Sequence, residues 1–467
     1  MRKTFVWALM AILAVSGSAF ARGIQAEATF LSGSPATTNN DDSCDISVAP
    51  AATLLLPYFD VNLANGQEDD TLWTVTNVSN LPQIAHVTVW TDRSFPVLDF
   101  NIFLTGYDVQ SISMFDVLVN GHLSGLEGTT SDTEPGERSA DNTDNPLINI
   151  NDCDNLAVNI PAPFLAPIVT ALTTGIYAPG GCTGASTVNR VGNTHADGHA
   201  KGYVTVDVAA FCGQGFATDG APYFTNEILF DNVLIGDYQQ VDRANNFAQG
   251  NPMVHIRAVP EGGTSGDFVT NFDRTFYSRY QAVGGVLDRR QPLPSTFAAR
   301  WIDGGVGELQ TSYKIWREGL SGATVTCTQY PQNAFLAITE LVRFDSEENP
   351  TTFSPDVVIS PAPDTEVSLP ETSQTDVADT NVFPPNTGDA LDGWMYLNLD
   401  HGSPLGAVDP DIASQNWVIV SMAAEGRFSV DFDAAWLGNG CSPVAPVTAE
   451  NGNDPVIGPA ANLTPDY

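Results

Sequence analysis

The chain has 467 residues and carries 55 Asp+Glu against 18 Lys+Arg, and its formal net charge of -37 excludes nucleic acid as a partner. Hydrophobic residues make up 43% of it, with 24 Phe, 12 Tyr and 8 Trp, enough for a packed core and too many for disorder throughout. At roughly 150 residues per unit, the length predicts two or three packing units rather than one.

Arg2 and Lys3 precede an apolar run from Thr4 to Val15, and Ser18-Ala19-Phe20-Ala21 follows with small residues. That order predicts a signal peptide over 1–21, cleaved after Ala21, and export to the periplasm, the cell surface or the medium. Residues 22–46 are small and polar and read as a flexible lead-in. β-Branched and aromatic runs then alternate with turn residues over Thr53–Phe59, Thr71–Val78, Ile84–Trp90, Val97–Leu104 and Val109–Leu118. They predict an antiparallel meander forming an N-terminal β-sandwich-like unit over 47–125.

Residues 126–200 read as an acidic, Cys-containing insertion. Within it, Asn155–Asn189 has no charged residue, but Pro161, Pro163, Pro167, Gly175, Gly180 and Gly181 interrupt it. The composition predicts a short buried helix near Phe164–Leu172, and no membrane span after cleavage of the leader.

A second β unit is predicted over 201–343, with strands at Lys201–Ala209, Glu227–Ile235, Met253–Val259, Gln310–Trp316, Ala323–Gln329 and Phe335–Phe344. Residues 344–390 form an acidic Pro/Thr-rich linker or loop, and 391–441 hold strands that complete an earlier sheet, ahead of a tail over 442–467. In the last strand Phe428, Val430 and Phe432 alternate with Ser429, Asp431 and Asp433. Period two predicts the apolar set in the core and the polar set in water. The fold class is therefore all-β, mainly antiparallel: two packed β-sandwich-like units with long acidic loops and a short buried helix.

Six cysteines, Cys44, Cys153, Cys182, Cys212, Cys327 and Cys441, follow the leader with no Cys-x-x-Cys pair. In an exported chain their even number predicts three disulfides, with 15 pairings open and Cys44–Cys441 the favoured link between the ends. Metal candidates are His195 and His199, four apart but separated by Gly198, and the acidic pair Asp152 and Asp154, beside Asn151, as oxygen ligands for calcium. Asp409 with Asp411 is a second acidic pair of that kind. No Gly-x-Ser-x-Gly elbow and no phosphate loop occur, since Gly304-Gly305-Val306-Gly307 runs into Glu308 and Leu309.

The Asn77-Val78-Ser79-Asn80 turn and the strand spacing around it resemble those of immunoglobulin-like sandwich modules. Leu55-Leu56-Pro57-Tyr58-Phe59, His86-Val87-Thr88-Val89-Trp90-Thr91-Asp92 and Leu104-Thr105-Gly106-Tyr107-Asp108-Val109-Gln110 are similar to segments of uncharacterised secreted β-rich bacterial proteins. That resemblance implies bacterial export and carries no activity. The residues themselves favour an exported, non-catalytic binding or structural role with a cell-surface, glycan or protein partner. Two alternatives stand beside it. One is a carbohydrate-active hydrolase with Trp73, Trp90 or Trp394 stacking on sugar, and the other is a surface protein assembled by calcium.

Overall fold

The computed structural model describes residues 46–66, 68–123, 159–177, 191–244, 246–258, 275–280, 288, 290–305, 308–319, 336–338, 340–352, 368–386, 390–401, 414–424 and 427–437. The leader, Cys44, Cys153, Cys182, Cys327, Cys441, Asp152, Asp154, Asp409, Asp411 and the strand expected at Ala323–Gln329 lie outside them.

The first strands are β1 (Thr53–Val61), β2 (Asp70–Asn77), β3 (Gln83–Thr91), β4 (Pro96–Leu104) and β5 (Val109–Ser113). Helix α1 (Ala162–Thr174) follows, then β6 (Ala200–Ala209), β7 (Leu234–Asp242), β8 (Phe247–Pro252) and β9 (Val254–Ile256). The remaining strands are β10 (Thr296–Ile302), β11 (Gln310–Arg317), β12 (Leu336–Ala337), β13 (Glu340–Asp345), β14 (Pro350–Thr352), β15 (Ser368–Leu369) and β16 (Thr372–Asp376). Strands β17 (Asp392–Asn398), β18 (Asn416–Ala424), β19 (Phe428–Asp433) and β20 (Ala435–Trp436) close the described chain.

The protein is all-β and mainly antiparallel, built as two packed sandwich-like units. The first unit faces a sheet ordered β4-β3-β6-β1-β9 with one ordered β5-β2-β7-β8, and the second faces β14-β13-β17-β10-β20 with β16-β11-β18-β19. One apolar cluster runs through both, from Leu54, Trp73 and Trp90 to Trp301, Tyr313 and Trp417. Among the described residues no helix is long and apolar enough to cross a membrane.

The pairing differs from a meander. Strands β3 and β4 form a hairpin, but β6 inserts between β1 and β3, and β2 pairs with β5 and β7 instead of β1. Strands β6 to β9 thus complete the first sandwich, although in the sequence they stand with the second block. Residues 368–386 lie in the stretch expected as linker, and they carry β16, which pairs with β11, and Phe383, which is buried against Tyr313. Distant pairing of this kind depends on which sheet edges are open, which no local pattern encodes.

Helix α1 packs its Ile168, Ala171 and Leu172 inward while Phe164 faces solvent, so the expected helix is buried on one face. It ends at Gly175, whose φ of 70° is left-handed and whose Cα is in close contact with Gly192. A methyl group at Gly175 would strike the Gly192 carbonyl as well as carry the left-handed penalty. Gly175→Ala is expected to destabilise by on the order of 2 kcal/mol, read as a shift in the urea midpoint.

The closing strand reverses the sequence expectation. Phe428 and Val430 are 54% and 47% exposed, whereas Asp431 is 7% exposed. Over Phe428–Asp431 the polar side of β19 is the one that docks, whereas beyond it Phe432 is half-buried against the core and Asp433 is exposed. Lys314 Nζ sits 2.5 Å from Asp431 Oδ2, Ser421 Oγ donates to Asp431 Oδ1 at 2.7 Å, and Tyr238 of the first unit approaches at 3.4 Å. Asn251 Nδ2 donates to Asp433 at 2.7 Å, and Ser429 Oγ to the Ala248 carbonyl at 2.5 Å. The two units are therefore joined across β7–β8 and β19 by polar groups.

His401 ties stability to pH. Burial first, then Arg317, pushes its imidazole down to about 4 from an ordinary 6.5, while its Nε2 donates to the Glu318 carbonyl at 2.5 Å. The unfolded chain binds the proton more readily, so stability is intact above pH 6.5 and declines as pH falls toward 4. Denaturant titrations at pH 7.5 and 4.5 are expected to show this loss, and His401→Gln to reduce it.

Candidate functional site

Two adjoining hollows of about 510 and 520 Å³ open where the sandwiches meet, sharing Tyr58, Lys201 and Gln374 on their walls. Strand β1 aims the central residues. Its register with β6 shifts between Leu56 and Phe59, around Pro57, which has no N–H to donate and is tolerated where β1 runs past the end of β9. The Thr372 hydroxyl of the second unit binds the Pro57 carbonyl at 2.5 Å, pinning the rim.

In the first hollow, Asp60 collects three donors: Tyr58 Oη at 3.1 Å, His199 Nδ1 at 2.8 Å and Lys201 Nζ at 3.4 Å. The hydrogen bond to Asp60 raises the His199 imidazole above its ordinary range against the pull of burial. Burial opposes the charge on Lys201, but Asp60 and Asp197 outweigh it and hold the ammonium above its usual value. Burial raises the Asp69 carboxyl, with Asp60 and Asp242 adding to the effect. Burial, helped by Asp60, keeps Tyr58 a neutral phenol. Five carboxylates, Asp60, Asp69, Asp70, Asp242 and Asp376, line this hollow against Lys201, so its field repels anions.

Facing them from β7 and β8 are Gln240 and Gln249, directly opposite each other in the antiparallel register and 7% and 5% exposed. Gln240 Nε2 and Gln249 Oε1 are buried and have no hydrogen-bond partner. Each such atom costs about 1–3 kcal/mol of desolvation.

The second hollow holds the other histidine. His195 Nε2 is 3.6 Å from Asp92 Oδ2, and Asp92 also accepts from the Asn193 backbone N–H at 2.9 Å and its Nδ2 at 2.7 Å. Burial lowers the His195 imidazole and raises the Asp92 carboxyl. Ser373 Oγ on the same wall is buried without a partner.

His195 and His199 occupy a turn rather than a helix and address different carboxylates. Among the described residues no group of three or more His, Cys, Asp or Glu is arranged to hold a metal. Cys212 is disulfide-bonded. Trp73 and Trp90 are core residues and Trp394 stacks on Phe344 at 4.1 Å, so none of the three lines either hollow. Among the described residues, no histidine ring is hydrogen-bonded to a serine, threonine or cysteine side chain.

Sequence reasoning missed the residues of the first hollow, among them Tyr58, Asp60, Asp69 and Asp70 and, on β7 and β8, Gln240, Asp242 and Gln249. Strands β7 and β8, LIGDYQQVD and FAQGNP, are too polar and Gly-containing to read as core strands. The only signal there was the alternation Leu234, Gly236, Tyr238, Gln240, Asp242 on one face.

No protein-family model, curated protein or solved structure matches the chain.

Proposed function

We propose that the protein is an exported, non-catalytic binding protein whose ligand seats in the cleft between its two sandwiches. The observation that carries this reading is the pair of buried amides, each with one unpartnered atom, in a polar wall built from both units. A cleft of about 510 Å³ is within the roughly 300–1,000 Å³ of small-ligand sites. Its carboxylates favour neutral or cationic ligands. The leader-like N-terminus supports export, and the six cysteines support three disulfides in the mature chain.

Intact-mass measurement of protein expressed with its own N-terminus is expected to give a chain starting at Arg22 and six hydrogens light. A thermal-shift screen of saccharides, polyamines and short peptides is expected to raise the melting temperature with at least one class. Ala423→Trp fills the cleft from the half-buried rim of β18 and is expected to abolish that rise. A rise retained in Ala423→Trp moves the ligand elsewhere. Turnover of a saccharide supports a carbohydrate-active hydrolase instead, and an oligomer lost on chelation supports calcium-dependent assembly through Asp152 and Asp154.

A further inference from the structure

We infer that the cleft takes a neutral polyhydroxylated ligand, a saccharide, read by the opposed amides of Gln240 and Gln249. The inference rests on the cleft being the ligand site. The groups left without partners are one donor, Gln240 Nε2, and one acceptor, Gln249 Oε1, on adjacent strands. An ammonium only donates and leaves the donor orphaned; a carboxylate or phosphate only accepts and is repelled by five aspartates. A hydroxyl both donates and accepts, so one hydroxyl or a vicinal pair answers both amides.

The rest of the wall has the same character. Carboxylates of Asp70 and Asp242 accept from hydroxyls, and the half-buried Lys201 donates. Phe247 and Tyr58 add ring surface beside the polar groups, as the apolar C–H edges of a sugar require. Gln310 and Gln374 bring two further amides from the second unit, so a bound saccharide touches both sandwiches.

Isothermal titration calorimetry with maltohexaose, cellohexaose, polygalacturonate and spermidine tests this on the full chain. Binding of at least one neutral hexasaccharide and none of polygalacturonate is expected. Gln240→Met and Gln249→Met are expected to weaken saccharide binding at least tenfold. Each removes an orphaned polar atom at nearly constant volume, so each also raises the melting temperature of the free protein, a signature that loss of fold cannot produce. Gln239→Ala, on the exposed face of the same strand, leaves binding unchanged.

Spermidine binding without saccharide binding, abolished by Ala423→Trp, overturns the saccharide inference and leaves the cleft as a ligand site. Saccharide binding untouched by Gln240→Met, Gln249→Met and Ala423→Trp overturns both. Absence of binding to all four probes overturns the inference, and a thermal screen also negative across its classes removes the cleft reading with it.

Discussion

Replacing Arg290 by methionine is expected to cost about 3–5 kcal/mol, because it strands two carboxylates in the interior of the first unit. Arg290 is fully buried, with Asp207 at 3.2 Å and Asp288 at 3.0 Å. Asp207 also accepts from Tyr223 Oη at 2.7 Å and Tyr277 Oη at 2.8 Å, and from the Thr53 hydroxyl, so one anion on β6 gathers three segments. Tyr277, Asp288 and Arg290, which lie outside the named strands, are held to β1 and β6 by this cluster. Equilibrium urea unfolding checks the prediction. Arg300→Met, an exposed substitution on β10, is expected to stay within about 0.5 kcal/mol of the parent. A loss at Arg290 no larger than that would refute the role assigned to the cluster.

Replacing Lys314 by methionine is expected to have a comparable effect, about 3–5 kcal/mol, at the junction of the two units. Lys314 and Asp431 are both buried, and desolvation lowers the ammonium while Asp431 opposes the shift. With the cation gone, Asp431 keeps Ser421 and Tyr238 as donors but has no counter-charge. The double variant Lys314→Met/Asp431→Leu removes both charges and is expected to recover at least about 2 kcal/mol of the single-variant loss. A double-mutant cycle by urea denaturation measures that coupling. Additive losses would mean that the pair does not join the units as an ion pair.

Much of the architecture was legible in local patterns. Thr53–Phe59, Ile84–Trp90, Gln310–Trp316 and Trp417–Met422 were expected as strands and lie within β1, β3, β11 and β18, because β-branched and aromatic runs have few other ways to bury themselves. The helix after Pro161 was readable from an uncharged run with proline at its first turn and Gly175 beyond its end. Trp73 and Trp90, candidates for stacking on sugar, are instead core residues, as alternating strands turn aromatic rings inward, whereas Trp394 is 36% exposed.

The cleft was not legible. Its amides stand on β7 and β8, whose inward side faces a polar interface, so the contrast between faces that marks a strand is faint there. The four-residue spacing of His195 and His199 suggested a shared ion, yet Gly198 holds the segment in a turn and Asp92 and Asp60 divide the rings. Strand β19 shows the same limit most clearly. Its period of two was correct, but over Phe428–Asp431 the buried face was inverted, because Lys314, Ser421 and Tyr238 supply partners for Asp431 that lie up to 193 residues away in sequence.

The sequence by itself determined the all-β class, the places of most core strands and the aromatic core, since these follow from residue type and alternation over a few neighbours. Tertiary structure alone decided that β6 to β9 complete the first sandwich, that β19 buries Asp431, and that Gln240 and Gln249 meet five carboxylates in one cleft. Those outcomes depend on which edges and faces remain open once distant segments pack, and burial of a polar group is favourable only when its partners arrive from elsewhere in the chain.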